Sequence, residues 1–135
     1  MVIERHGTPL NHLTDAANVA ESQLAEAVLT GIPEAIVLPV GVPVIADRGY
    51  DSDPLREDLA EADFDLIAPH RKNRKKPPTN DGRKLRRYKR RYVVERTFAW
   101  LHSFRAVVTR FERSIARYDG LVELAMAFIA LNKLL

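Results

Sequence analysis

The chain has 135 residues and a mass of 15.3 kDa, which is about one domain, and its 46% hydrophobic and 29% charged side chains are typical of globular proteins. The absence of cysteine excludes disulfide frameworks, thiol catalysis and cysteine-ligated zinc. No apolar stretch has the length of a signal-peptide core at the N-terminus or of a membrane span elsewhere, so we expect a cytoplasmic protein with no membrane partner.

The net charge of +3 conceals a very uneven distribution. Residues 1–70 carry 3 basic and 13 acidic side chains, whereas residues 71–91 carry 12 basic side chains and one acidic one, Asp81. A dense basic segment on an acidic body indicates a polyanionic partner. Composition alone does not distinguish between DNA, RNA and an acidic protein. The alternative is a solvated, flexible segment, but its position directly before the helix predicted to carry Glu95 favours phosphate binding.

The N-terminal part of the chain predicts a hairpin followed by a helix. Residues 2–5 and 10–14 are extended in character on either side of a turn at Gly7, which predicts a β-hairpin. Residues 18–29 repeat apolar side chains at helical spacing, and Asn18 is the expected cap of that helix, with a position facing a site as the alternative.

The middle of the chain predicts a strand, a helix and a second strand. Residues 44–46 form a short apolar run that ends at Asp47, residues 51–54 combine a capping oxygen with a proline, and residues 64–68 return to a strand pattern. This order predicts an α/β fold in which a mixed sheet is flanked by helices.

The C-terminal half predicts a basic loop and two helices. The loop covers residues 70–82, the first helix runs over about 83–102, and the last helix runs over about 118–135. Trp100 is expected in the core, with a base-stacking platform as the alternative. The core face of the first helix is predicted at Val94, Phe98 and Leu101.

One stripe of the helix over 83–102 carries side chains suited to a phosphate and a metal. At about 100° per residue, Tyr88, Arg91, Glu95 and His102 share a narrow face. A carboxylate suits a hard divalent cation, and a guanidinium suits phosphate oxygens. The alternative is that the Arg and Glu are ordinary surface partners on a helix.

Asp47 is the second candidate ligand, because ligands of open α/β sheets gather at the C-terminal ends of strands. The alternative is that Asp47 only forms a turn before Arg-Gly. The histidines His6, His12 and His70 show no metal-ligand spacing and are expected at the surface.

Two segments carry a family resemblance. Residues 46–52 (ADRGYDS), followed by the basic run and residues 91–101 (RYVVERTFAWL), resemble the DDE transposases of bacterial insertion sequences, specifically the insertion-sequence-five type. Tyr88, Arg91 and Glu95 match the spacing Y-(2)-R-(3)-E of the wider group. Residues 7–10 (GTPL) and 17–19 (ANV) resemble the same family.

The resemblance implies a ribonuclease-H-like fold and a phosphoryl-transfer enzyme. Its implied DNA substrates are the terminal inverted repeats of the element and the target DNA. It implies that Asp47 and Glu95 are the second and third carboxylates of a catalytic triad that holds two Mg²⁺ (or Mn²⁺) ions. His102 replaces the family's lysine, and a homo-oligomer is expected in the synaptic complex. The expected DNA contacts are Tyr88, Arg91, His102, Arg71, Lys72, Arg74, Lys75, Lys76, Arg83, Lys84, Arg86, Arg87, Lys89 and Arg90.

The chain departs from the family at its start. The family's first catalytic Asp lies on a strand upstream of the hairpin at Gly7, so no residue here is assigned to it. We therefore expect residues 1–135 to be the C-terminal part of a DDE catalytic domain, a partial fold without its first catalytic strand. Alone it is expected to be inactive, with an upstream half or a full-length transposase as its partner. The alternative is an inactive DNA-binding remnant or regulator.

Overall fold

The structure, a computed structural model, describes residues 1–15 and 18–135, so Ala17 of the N-terminal motif lies outside the described residues. The chain divides into two compact units, one formed by Met1–Val19 with Tyr92–Leu135 and the other by Ala20–Arg91. No helix in the described ranges is both long and apolar enough to cross a membrane. The strands are β1 (Val2–Ile3), β2 (Pro9–Asn11), β3 (Val42–Ile45) and β4 (Phe64–Ile67), and the α-helices are α1 (Ala25–Thr30), α2 (Asp53–Glu61), α3 (Gly82–Arg86), α4 (Tyr92–Leu101), α5 (Arg105–Val108) and α6 (Ile115–Leu134).

The predicted N-terminal hairpin is confirmed, and one carboxylate holds its turn. Strands β1 and β2 pair antiparallel, and Gly7 between them has a positive φ of 93°. The Glu4 carboxylate accepts from the His6 N–H at 2.8 Å and from the Thr8 N–H and hydroxyl at 3.1 and 2.9 Å. Burial by itself would raise the pKa of Glu4, but these hydrogen bonds outweigh it and lower that pKa.

The same turn packs against α4 and determines which face of that helix is buried. Thr97 is 1% exposed, and its hydroxyl donates to the Gly7 carbonyl oxygen at 2.9 Å. The buried stripe of α4 is therefore Val93, Thr97 and Leu101, which confirms the prediction for Leu101 and moves the other two buried positions back by one residue from the predicted Val94 and Phe98. The prediction of Trp100 as core is wrong, because 38% of that residue is exposed. The core of this unit consists of Leu101, Val107, Val122, Ala125 and Ile129, contributed by α4, α5 and α6.

The second unit is built on the predicted strand–helix–strand order. Strands β3 and β4 are parallel, in register from Val42 opposite Phe64 to Ile45 opposite Ile67. Ser52 caps α2 by accepting from the Leu55 N–H at 3.5 Å. The α/β class is confirmed, although the described strands form two separate two-stranded sheets, one antiparallel and one parallel.

Two predicted helices are shorter than expected. In the predicted helix over 18–29, a 3₁₀ turn at Glu21–Gln23 precedes α1, whose N-cap is Leu24, so the prediction that Asn18 caps the helix is wrong. The physical reason is that the buried side chains of α1 begin only at Ala25, and short helices depend on tertiary packing.

The long helix predicted over 83–102 is divided into α3, a 3₁₀ segment at Arg87–Arg91 and α4. Neither α3 nor the 3₁₀ segment has a buried residue, and both are rich in cations that repel each other at helical spacing. The prediction of one continuous helical stripe from Tyr88 to His102 is therefore wrong. The last predicted helix is confirmed as α6.

We predict that Gly7→Ala lowers the free energy of unfolding by about 2 kcal/mol or more. The new Cβ would lie 2.9 Å from the Thr97 hydroxyl oxygen in a backbone conformation that disfavours side chains. Urea unfolding measures the change.

Two glycines serve as controls for this prediction. In Gly41→Ala the added Cβ would have no atom within 4 Å, so the only penalty is the positive φ of 67°. This substitution should lower the free energy of unfolding by about 1 kcal/mol. Gly120→Ala, inside α6 with open space around it, should raise stability by about 0.5–1 kcal/mol. Equal effects of Gly7→Ala and Gly41→Ala would contradict the close packing of the turn.

Candidate nucleic-acid interface

Asp47 stands at the carboxyl end of β3 and begins a 3₁₀ turn over Arg48–Tyr50. Its Oδ1 accepts from the Gly49 N–H at 2.7 Å, and a Cβ at Gly49 would lie 2.9 Å from the same oxygen. The turn-forming role of Asp47 is therefore confirmed. Its side chain nevertheless lies at the exposed surface, where a carboxylate is accessible to a ligand.

Tyr50 lies beside Asp47 in the same turn. Its hydroxyl donates to Glu21 Oε2 at 3.3 Å. Burial, followed by the charge and hydrogen bond of Glu21 and the charge of Asp47, raises the pKa of Tyr50 to about 12. The phenol therefore stays protonated at neutral pH and can only donate to the acids around it.

The next acidic residue, Asp51, is the centre of a buried network that the sequence analysis missed. Its Oδ2 accepts from the Arg71 N–H at 2.7 Å, and its Oδ1 lies 2.8 Å from Arg56 Nη2, 2.9 Å from His70 Nδ1 and 3.4 Å from Arg74 Nη1. Burial would raise the pKa of Asp51, but the hydrogen bonds from Arg71, His70 and Arg56, with the charge of Arg56, lower it to about 2.

His70 connects this network to the far end of the basic loop. Its Nε2 accepts from the Thr79 N–H at 3.0 Å, so the ring bonds Asp51 through an Nδ1–H. Asn80 makes a second connection between the far end of the loop and the segment after β4, because its side-chain amide donates to the Ala68 carbonyl oxygen at 2.7 Å. The prediction of His70 as a simple surface group is wrong, and so is that of His12, whose side chain is 10% exposed and lies 3.5 Å from Asp119.

Several predicted DNA-binding cations have partners inside the chain. Arg74 and Lys76 pair with Asp53 at 2.9 and 3.3 Å, and Lys84 pairs with Asp65 at 2.8 Å. Arg71 donates through Nη2 to the Gly49 carbonyl oxygen at 2.7 Å. The exposed cations outside these contacts are Lys72, Lys75, Arg83, Arg86, Arg87, Lys89 and Arg90.

Tyr88 and Arg91 of the quoted motif lie together. Arg91 Nη1 donates to the Tyr88 hydroxyl at 2.9 Å, and the guanidinium carbon lies 5.9 Å from the ring centroid. The phenol and the guanidinium therefore form one polar group in the 3₁₀ segment, with Arg91 exposed to solvent.

Glu95 and His102 lie on the other compact unit. Glu95 is exposed in the first turn of α4, and the His102 N–H bonds the Phe98 carbonyl oxygen at 2.8 Å just after its last turn. Asp47 belongs to the Ala20–Arg91 unit. In the part of the chain that the structure describes, no three His, Asp or Glu side chains gather closely enough to hold a metal ion. The assignment of Asp47 and Glu95 as metal ligands stays a prediction, because the two residues belong to different units.

Comparison with known proteins adds a family match and several relatives. A family model described as "Transposase DDE domain" matches residues 1–132. A putative transposase for insertion sequence element IS402 from Burkholderia cepacia is 34% identical over 139 residues, which cover 99% of this chain and 62% of the relative. A transposase for insertion sequence element IS1106 from Neisseria meningitidis is 34% identical over 116 residues, 84% of this chain and 36% of the relative.

A third relative has nearly the same extent as this chain. The putative transposase for insertion sequence element IS6501 from Brucella ovis is 32% identical over 133 residues, which cover 97% of this chain and 95% of the relative. This chain thus spans less than two thirds of the Burkholderia and Neisseria relatives and almost all of the Brucella one. No solved structure matches the chain significantly.

We predict that Asp51→Asn lowers the free energy of unfolding at neutral pH by about 3 kcal/mol, because it removes the buried charge shared by Arg56 and Arg74 and leaves both with Asp53 as their only acidic partner in the described part of the chain. The folded-state pKa of about 2 lies below the ordinary 3.8, so this stabilisation is present above 3.8 and is lost as the pH falls toward 2. Denaturant unfolding from pH 6 down to about 2 should show that the free energy of unfolding falls more steeply with decreasing pH for the native chain than for Asp51→Asn. Asp58→Asn, an exposed carboxylate on α2, is the control, and parallel pH profiles for the native chain and Asp51→Asn would contradict the network.

Proposed function

The chain belongs to the transposase DDE domain family, and from that membership we propose that it serves DNA transposition by binding DNA and contributing carboxylates to a phosphoryl-transfer centre. The observation that carries the DNA-binding part is the group of exposed cations on α3 and the 3₁₀ segment after it, which stand outside the internal ion pairs. Lys and Arg side chains presented together in this way neutralise phosphates and release counterions.

The catalytic part of the proposal rests on Asp47 and Glu95. Both are exposed carboxylates, and hard oxygen ligands of this kind suit Mg²⁺ or Mn²⁺. Metal ions of this kind, when bound, stabilise charge on the attacking and leaving oxygens of a phosphoryl transfer. Because the described residues gather no complete ligand set, we propose that a further carboxylate comes from an upstream transposase half and that this chain alone is inactive.

The finer structural assignments belong to the same proposal. The parallel β3–α2–β4 unit, with Asp47 two residues after the end of β3, supports placing these elements in a ribonuclease-H-like domain of the insertion-sequence-five type. Terminal inverted repeats and target DNA are the proposed substrates, and a homo-oligomer is the proposed synaptic state. Tyr88, Arg91 and His102 are proposed to position phosphates near the reacting strand.

A second candidate function is that of a DNA-binding regulator without catalytic activity. The same exposed cations support it, and so does the lack of a metal-holding cluster among the described residues. The two candidates differ in whether activity can be restored by an added partner.

We predict that DNA binding depends on the exposed cations rather than on the paired ones. Replacing Arg86, Arg87 and Arg90 by Ala should reduce the slope of log K against log salt by about 2 to 3 for duplex DNA, because about 0.9 of a counterion is released per phosphate contact. The control is the charge-neutral double variant Lys84→Ala, Asp65→Ala, which removes an internal pair and should leave the slope unchanged. Fluorescence anisotropy of labelled duplex at several salt concentrations measures the slope for each variant. An equal decrease in slope for the triple variant and for the control would argue against DNA binding by the exposed cations.

We predict that the purified chain with Mg²⁺ and element-end DNA gives no strand transfer, and that an added upstream transposase fragment restores it. Asp47→Ala and Glu95→Ala should each reduce the restored activity to background, because each removes a proposed metal-ligating oxygen donor. Asp58→Ala, another exposed carboxylate, is the control and should leave activity intact. Strand transfer by the chain alone would refute its inactivity, and DNA binding without restoration would favour the regulator.

A further inference from the structure

One face of α4 combines exposed aromatic rings with a cation. Tyr92, Arg96 and Trp100 follow one another at four-residue spacing, which places them on the same side of a helix. The Arg96 guanidinium carbon lies 5.9 Å from the Tyr92 ring centroid and 5.1 Å from that of Trp100. Tyr92 is 62% exposed and Trp100 is 38% exposed, so part of each residue is accessible from solvent.

A second cation, Lys133 of α6, completes this face. Its Nζ lies 4.8 Å from the Trp100 ring centroid. Lys133 Nζ and Arg96 Nη2 both donate to the His6 carbonyl oxygen, the latter at 2.9 Å. Both cations therefore lie close to the Trp100 ring and are held by the same carbonyl oxygen of the hairpin turn.

The charges of these two cations are not cancelled by the contacts that hold them. Their shared acceptor is a neutral carbonyl, and within residues 1–15 and 18–135 neither cation lies within 4.0 Å of a carboxylate. The face therefore presents fixed positive charge beside aromatic rings.

We propose that this face, formed by Tyr92, Arg96, Trp100 and Lys133, binds an unpaired nucleotide, whose base stacks on the Trp100 indole while its phosphates contact the two cations. The inference rests on the proposed DNA-binding function and adds to it a preference for unpaired DNA. Any base can stack on an aromatic ring, and cations beside the ring neutralise the backbone. A base within a duplex is already stacked on its neighbours, so only an extruded or single-stranded base can reach the indole.

The protein contains a single tryptophan, so its fluorescence reports on this face alone. Titration of the full chain with an oligothymidylate of about 12 nucleotides should quench that fluorescence as binding saturates. A blunt duplex of the same length should bind without comparable quenching. Anisotropy of the labelled DNA, recorded in the same titrations, gives the affinities independently of the tryptophan.

Substitutions then separate stacking from general DNA binding. Trp100→Leu should weaken oligothymidylate binding by about tenfold and leave duplex affinity within about twofold of the native chain. Phe98→Leu is the matched control, because Phe98 is 39% exposed on a different side of the same helix, and it should leave both affinities unchanged. Circular dichroism of each variant confirms that it is folded.

Three results would overturn the inference. Oligothymidylate binding seen by anisotropy without tryptophan quenching would exclude stacking on Trp100 while leaving the proposed function intact. Equal weakening by Trp100→Leu and Phe98→Leu would show that the effect is not specific to this face. Failure of both DNAs to bind the native chain would refute the proposed DNA-binding function itself, and the inference with it.

Discussion

The buried carboxylate of Asp51 is the contact on which the Ala20–Arg91 unit depends. It joins α2 through Arg56, the end of β4 through His70 and the basic loop through Arg74 and the backbone of Arg71. The cations of the basic loop repel one another, and acidic side chains within the same unit neutralise some of them. Without this carboxylate, Arg56 and Arg74 would keep Asp53 as their only acidic partner among the described residues, and the buried charge would be less well compensated.

The basic segment therefore contains two kinds of cation with different roles. Arg74, Lys76 and Lys84 face acidic partners and fix the loop and α3 to the strands. The cations that face solvent outside these pairs, where a polyanion can reach them, include Arg83, Arg86, Arg87, Lys89 and Arg90. The density of charge that favours phosphate binding also disfavours a continuous helix, which accounts for the 3₁₀ segment between α3 and α4.

The two carboxylates proposed for catalysis have different local settings. Asp47 is held by the turn it initiates, and the absence of a side chain at Gly49 makes room for its carboxylate. Glu95 lies on α4, whose orientation is fixed by the Thr97 contact with the hairpin turn. That contact buries Val93, Thr97 and Leu101 and thereby leaves the aromatic and cationic face of α4 open. One hydrogen bond to the turn thus influences both Glu95, which is proposed to be catalytic, and the proposed stacking face.

The hairpin, the β3–α2–β4 order, α6 and the family could be predicted from the amino-acid sequence, because glycine and proline positions, the Ser52 cap and apolar runs act over a few neighbouring residues. The partners of Asp51, the role of His70, the two shifted buried positions of α4 and the exposure of Trp100 became visible only in the folded chain. The Asp51–His70 contact joins residues 19 apart and the Thr97–Gly7 contact joins residues 90 apart. Burial and ion pairing depend on such contacts between residues far apart in the sequence, and local periodicity does not indicate which distant residue will be the partner.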